Sequence, residues 1–198
     1  MIKLYDAKIS GNCYKIRLML SLLKPEHELV PVDLKNGGQK SPEFLKLNPL
    51  GQVPVLTDGD LVIRDAQAIL VYLARRYGGD DWLPQSPEQM SKVVQWLSTA
   101  ANEISNSLAT LRRHYLLNVP VNFELANHTA HRVLQILEEH LQQRDWLECD
   151  RPTIADIACF PYVALASDAK IDLKPYPRVV AWINRIKQLP GYVGMPGL

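Results

Sequence analysis

The sequence predicts two structural units, an α/β domain over residues 1–79 and an all-helical domain over residues 88–198. Three observations carry that reading. Short β-compatible apolar runs alternate with helix-period segments up to residue 79 and do not recur afterwards. The stretch 78–87 changes character, with Gly78-Gly79 and then Pro84 and Pro87 in a polar setting, as a linker does. Beyond it, helical patterns cover about 88–115, 123–144, 154–167 and 177–189, and Pro190-Gly191 closes the last.

Residues 2–5 form an apolar first strand, and Ser10-Gly11-Asn12 supplies the chemistry of a helix entry. Ile16, Met19, Leu20 and Leu23 then fall at helical spacing until Lys24-Pro25 stops the helix. Residues 28–34 alternate as a second strand, with Pro31 suited to a sheet edge. The resulting β-α-β unit is expected to be parallel and right-handed. A polar loop with Gly37-Gly38 leads to a short helix over 42–47, and Asn48-Pro49-Leu50-Gly51 turns into a strand over 53–56. Asp58-Gly59-Asp60 signals a hairpin whose return strand is 61–63. Asp65 is a good N-cap for a helix over 66–77, which Gly78-Gly79 terminates. The order β-α-β-α-β-β-α is that of a thioredoxin-like domain.

Composition excludes several function classes. The 22 basic and 21 acidic side chains leave a net charge of +1, with no basic field to recruit nucleic acid or anionic lipid. The pairs Arg75-Arg76 and Arg112-Arg113 fall inside helical patterns and are expected on solvated faces. The most apolar stretch, 154–166, is broken by Asp156 and Pro161 and is too short to span a bilayer. The first residues read as a strand, not as a targeting leader. Cys13, Cys149 and Cys159 form no CxxC or paired spacing, so a reducing, cytoplasmic setting is expected. The five histidines make no compact cluster, and no metal site is expected.

Four motifs carry chemistry or folding information. The first is Ser10-Gly11-Asn12-Cys13, at a strand-to-helix junction whose N–H groups and dipole favour an anion. Thioredoxin-like proteins carry CxxC at this turn. Here serine takes the attacking place, so dithiol exchange within the motif is impossible. Ser10 either caps the helix or donates its hydroxyl hydrogen to a thiolate brought by a substrate. Cys13 fits a packed core thiol better than a reactive one. The second is Gln52-Val53-Pro54, a proline heading an apparently central strand. It is either an ordinary trans proline or a cis bond that turns the Val53 N–H and C=O toward a peptide-like ligand. The third is Asp65-Ala66-Gln67, a second helix N-terminus able to hold a carboxylate. The fourth, Pro152 through Asp156, is a capping box with Asp in place of Glu, assigned to folding.

Together these residues resemble the cytosolic glutathione transferases, over essentially the whole chain, and most closely a bacterial, theta-like, serine-type branch. The resemblance is carried by Ser10 through Arg17, Phe44 through Pro49, Gly51 through Leu56, Asp65 through Tyr77, Pro152 through Asp156, and Tyr176-Pro177 through Pro190-Gly191, in order and spacing. It implies a thioredoxin-like domain that binds glutathione as co-substrate, and a helical domain that supplies an electrophile subsite. By position, it implies that Ser10 stabilises the glutathione thiolate, with Asn12 near enough to help or replace it. Val53, before a cis Pro54 and after Gln52, matches the backbone that pairs with the glutathione cysteine. Asp65 and Ala66 match the pair that holds the γ-glutamyl end, and Gln39 matches a contact to the glycine carboxylate. Ala66 stands where the family usually has serine; its N–H remains, and a lost hydroxyl donor is worth about 1 kcal/mol. The resemblance also implies a homodimer.

The energetics of such a site are reasonable. Lowering a thiol pKa of about 8.5 by roughly two units takes about 2.7 kcal/mol. A charge-assisted hydrogen bond supplies about 1.5–3 kcal/mol and a helix N-terminus about 0.3–1 kcal/mol. Ile9, Asn106 and Arg113 are candidates to line the second subsite, since 106 and 113 share a helical face by their seven-residue spacing. A solvated or dimer-facing stripe accounts for the same pattern. Three functions remain open: a transferase conjugating glutathione to an electrophile, a glutathione-dependent disulfide reductase or peroxidase, and a non-catalytic binding module.

Overall fold

The computed structural model describes residues 1–198. Strand β1 (Ile2–Asp6) buries Ile2 and Leu4 on one face. Helix α1 (Gly11–Leu23) is capped by Ser10 and ends at Lys24, which takes the left-handed conformation at φ 59°. It returns the chain to β2 (His27–Pro31), which pairs parallel to β1 with Ile2 opposite His27. After α2 (Pro42–Leu47) come β3 (Val55–Asp58) and β4 (Leu61–Arg64), a hairpin turning at Gly59. Helix α3 (Ala66–Leu73) follows. The sheet order is β2-β1-β3-β4, with β3 antiparallel to both neighbours. Pro31 therefore sits at the end of an edge strand, where its missing N–H leaves a smaller gap in the ladder.

The third strand starts later than the sequence pattern suggests. Pro54 has no N–H to give the ladder, and Val53–Pro54 is a cis bond. Pairing begins only at Val55, opposite Tyr5. The helix expected over 66–77 also stops early: α3 ends at Leu73 and widens into π-type turns over Ala74–Gly78.

The stretch expected to be a linker is tied down. It holds a short helix, α4 (Gly79–Trp82), and Arg75 bonds Asp80 at 3.2 Å and the Pro84 carbonyl at 2.9 Å. Arg151 of the helical half donates to the carbonyls of Asp80 and Asp81, each at 2.9 Å.

In the helical half, α5 (Pro87–Thr99) runs into π-type turns over Ala100–Ala109 and on into α6 (Thr110–Leu117). Helices α7 (Phe123–His140), α8 (Ile154–Ala164) and α9 (Pro177–Lys187) complete it. No helix is long and apolar enough to cross a membrane. Helix α8 is buried over nearly its whole length because α5, α1 and α3 all pack against it. Its capping box forms as the sequence reads: the Asp156 carboxylate accepts from Thr153 N at 2.9 Å. The same carboxylate also accepts from Leu147 N at 3.0 Å and Trp182 Nε1 at 2.9 Å, so it joins three segments of the helical core.

Helix α1 is the shared wall between the two halves. It packs on α3 on one side and α8 on the other, which explains why its buried residues go almost all round. The apolar core is accordingly continuous from Ile2 to Met195. The C-terminal segment returns to α1 as well: Tyr14 donates to the Val193 carbonyl and Ser21 to that of Gly191, both at 2.7 Å.

One expectation about charge fails here. Arg112 is not on a solvated face; it is 6% exposed. Its Nε bonds Asp168 at 2.9 Å, and its Nη1 bonds the Ile9 carbonyl at 2.9 Å. A guanidinium with two planar bonding edges can be buried when both are satisfied. Here it fastens the loop before α1 to the helical half.

Candidate functional site

The loop between β1 and α1 places Ser10 at the N-cap, with φ −76° and ψ 120°. Its Oγ accepts from Cys13 N at 3.2 Å, so the capping role is real. That bond uses an oxygen lone pair and leaves the hydroxyl hydrogen able to donate. Cys13 is fully buried, and burial pushes its thiol up to about 12 against the opposing pull of the Ser10 hydroxyl. It is a packed thiol, as the sequence pattern indicates.

The segment 48–54 forms the facing wall. Asn48, 2% exposed, donates through Nδ2 to the Gln52 carbonyl at 2.8 Å and accepts from Leu50 N at 3.1 Å. Lys40 Nζ reaches the Leu50 carbonyl at 3.2 Å. These bonds fix the approach to the cis Val53–Pro54 bond. Val53 lies outside the ladder, and its N–H and C=O take no partner within the chain. Unpaired backbone of this kind is an edge that a peptide-like ligand can extend.

The third part is the start of α3. Asp65 adopts φ 78° and ψ 129°, a costly conformation for a residue other than glycine. Its Oδ1 caps the helix, accepting from Gln67 N at 2.9 Å and Ala68 N at 3.1 Å. The Ala66 N–H, at the first helical position, has no intrahelical acceptor.

These parts meet. One lobe of a cleft is lined by Asn12, Gln52, Val53, Pro54, Asp65 and Ala66, among others. A larger lobe, of about 400 Å³, is lined by Ser10, Asn12, Gln39, Gln52, Val53 and Arg113 together with residues of the helical half. Asn12, Gln52 and Val53 border both lobes, so the two adjoin. The larger lobe alone is in the range that holds a small organic ligand. Gln39 borders this lobe as well, and its buried Oε1 has no partner, an acceptor that only a donor can satisfy.

Two candidate residues are not brought in. Ile9 is 44% exposed, and it is its carbonyl that is engaged, by Arg112. Asn106 turns away and bonds Asn102 at 2.9 Å. The seven-residue argument presumes regular α geometry, but 106 lies in the wide turns over Ala100–Ala109. Those turns carry Ser105 and Ala109 to the cleft beside Arg113 instead. Arg113 is exposed there and bonds Thr110 Oγ1 at 3.1 Å.

The sequence reading missed Tyr162. It comes from α8, of which only the capping box, assigned to folding, was singled out, yet its ring lines the cleft with Ser10. It lies against the first turn of α1, where a Cβ at Gly11 would sit 2.6 Å from the ring. The glycine of Ser10-Gly11-Asn12 was the available signal, since only glycine admits so close a neighbour.

A thioredoxin-like domain carrying a serine-capped helix, a cis-proline edge and a strained acidic cap, closed by an all-helical domain, defines a class of thiol-handling folds. Family models agree. "Glutathione S-transferase, N-terminal domain" matches residues 1–75, and "Glutathione S-transferase, C-terminal domain" matches residues 123–190. The Escherichia coli K12 protein "Disulfide-bond oxidoreductase YfcG" is 31% identical over 96% of this chain and 92% of its own. "Glutathione S-transferase 3" of Zea mays is 32% identical over 96% and 91%. A glutathione S-transferase crystal structure from Xanthobacter autotrophicus Py2 superposes with TM-score 0.91 at 31% identity, over 100% and 98% of the two chains. The chain belongs to the glutathione S-transferase family.

Proposed function

We propose that this protein is a glutathione transferase, which ionises the glutathione thiol and delivers the thiolate to a small electrophile. The observation that carries it is the unpaired Val53 backbone, set in a cleft that runs from Ser10 to Asp65. Glutathione is a peptide with a thiol in its middle and a charged group at each end, and the cleft offers a partner for each. The Val53 N–H and C=O pair with the cysteinyl backbone. The Ser10 hydroxyl, hydrogen-bonded through its oxygen to Cys13 N, donates to the thiolate; Asn12 supports it. The Asp65 carboxylate and the Ala66 N–H hold the γ-glutamyl ammonium and carboxylate, and the Gln39 Nε2 donates to the glycine carboxylate. The electrophile enters the larger lobe between Arg113, Ser105 and Ala109.

The same reading makes the protein a cytoplasmic detoxifying enzyme and a homodimer, on family likeness. A second reading is a glutathione-dependent disulfide reductase. It is favoured by the likeness to a relative named a disulfide-bond oxidoreductase, and by Asn12 bordering both lobes.

Turnover separates them. With glutathione, a transferase consumes an aryl halide faster than a mixed disulfide or cumene hydroperoxide. The opposite ranking establishes the reductase or peroxidase. No turnover of any of the three, with glutathione still bound, leaves a binding module.

A further inference from the structure

The two residues before Ser10 have no apolar anchor: the side chains of Lys8 and Ile9 are exposed, so this loop is held by its backbone. Two arginines grip it, one from each half of the molecule. Arg17 of α1 pairs with Asp6 and donates to the Lys8 carbonyl at 3.0 Å. Arg112 of α6 reaches across from the helical half and donates to the Ile9 carbonyl at 2.9 Å. The Ile9 carbonyl and the Ser10 N–H belong to one planar peptide unit. The other edge of that unit is fixed as well, because Ser10 N donates to the Ala7 carbonyl at 2.9 Å. With the plane pinned at both edges and α1 starting at Gly11, the direction of the Ser10 side chain is set.

Arg112 is itself held. Asp168, in the turn over Ala166–Ala169, accepts from its Nε at 2.9 Å, and the planar guanidinium then presents Nη1 to the Ile9 carbonyl. The side chain is buried, so little water reaches these bonds. Its neighbour Arg113 lines the cleft, but Arg112 does not. A group in this place reaches a bound ligand through Ser10. Small errors of aim matter there, because a misplacement of about 1 Å at a reacting centre costs up to about 100-fold in rate.

We propose that Arg112, oriented by Asp168, is a positioning residue that aims the Ser10 hydroxyl at the sulfur of bound glutathione, so that the helical half takes part in activating the thiol. This rests on the reading above in which Ser10 donates to the thiolate. The glutathione thiol gives its proton to water, the Ser10 hydroxyl donates to the sulfur left behind, and Arg112 touches neither. What the site needs from Arg112 is the fixed fork that spans Asp168 and Ile9. Its charge alone does not supply that.

The test is a double-mutant cycle of Arg112→Lys with Ser10→Ala, since lysine keeps the charge and loses the planar fork. The bound glutathione thiol is titrated by its thiolate absorbance, with kcat/KM for an aryl halide and Tm read on the same preparations. The other charged or titratable groups around Ser10 stay in place: Asp6, Cys13 and Arg17 on its own side, Tyr162 and Arg113 across the cleft. The expected result is that Arg112→Lys raises the bound thiol by roughly one pKa unit and lowers kcat/KM at neutral pH about tenfold. Both effects vanish in the Ser10→Ala background. An equal rise in both backgrounds overturns the proposal, because the residue then acts on the thiolate directly. A fall in Tm with the thiol unmoved overturns it too, leaving Arg112 a clasp between the halves. Where Arg112→Lys does not fold, Asp168→Ala, at a side chain 26% exposed, frees the guanidinium from its other anchor and runs the same cycle with the same outcomes. The single variants keep the two inferences apart. Glutathione that does not bind the unaltered protein, or a thiol unmoved by Ser10→Ala, sinks the reading of Ser10 and this inference with it. A thiol moved by Ser10→Ala and not by Arg112→Lys sinks this inference alone.

Discussion

Replacing Ser10 with alanine separates the cap seen in the structure from the thiolate-donor role proposed for the same hydroxyl. As a cap, Ser10 satisfies Cys13 N at 3.2 Å, and losing such a cap costs about 1 kcal/mol. For a chain of this size that lowers Tm by about 2–4 °C. In the proposed role as donor to a bound thiolate, Ser10 would contribute a charge-assisted hydrogen bond of about 1.5–3 kcal/mol. At about 1.4 kcal/mol per pKa unit, its loss raises the bound thiol by about 1–2 units. A thiol titrates to its reactive form as pH rises, so the variant loses about 10–100-fold in kcat/KM below both pKa values and recovers at alkaline pH. The assay is the pH dependence of kcat/KM with an aryl halide, alongside thiolate absorbance and thermal unfolding. A drop in Tm with an unmoved thiol pKa refutes the donor role, leaving Ser10 as a cap and shifting the work to Asn12 or to α1 itself.

Further predictions follow from the neighbouring geometry. Asp156→Ala removes a fully buried carboxylate and leaves Leu147 N and Trp182 Nε1 without their acceptor; with penalties of about 1–3 kcal/mol per buried donor, it should destabilise by about 3–5 kcal/mol in denaturant unfolding. Cys13 is pushed up to about 12 by burial and Cys159 is raised further by burial, so both stay protonated through neutral pH; in the native protein neither should react with a disulfide reagent at pH 8, and unfolding should expose three thiols. Ala66→Ser adds a hydroxyl at the start of α3 and should tighten glutathione by about 1 kcal/mol, roughly fivefold in Kd by titration.

Much of this was written in the chain. The strand and helix order, the edge position of Pro31, the Asp156 capping box and the convergence of Ser10, Val53 and Asp65 follow from local patterns that the fold preserves. What was not legible depends on departures from regular geometry or on distant packing. The wide turns over Ala100–Ala109 rephase the helix, so Asn106 leaves the cleft and Ser105 enters it. Arg112 looked solvated because its partners, Asp168 and the Ile9 carbonyl, lie far along the chain. Tyr162 was hidden in an apolar helix whose capping box was read correctly and whose outlook onto the cleft was not.

The most direct test of the central claim is calorimetric titration of the protein with glutathione at neutral pH, repeated in buffers of different ionisation enthalpy. The account predicts saturable binding with net proton release, because the cleft between Ser10 and Asp65 holds the thiol as its anion. Binding without proton release would contradict thiolate activation. No binding up to millimolar glutathione would contradict the site itself.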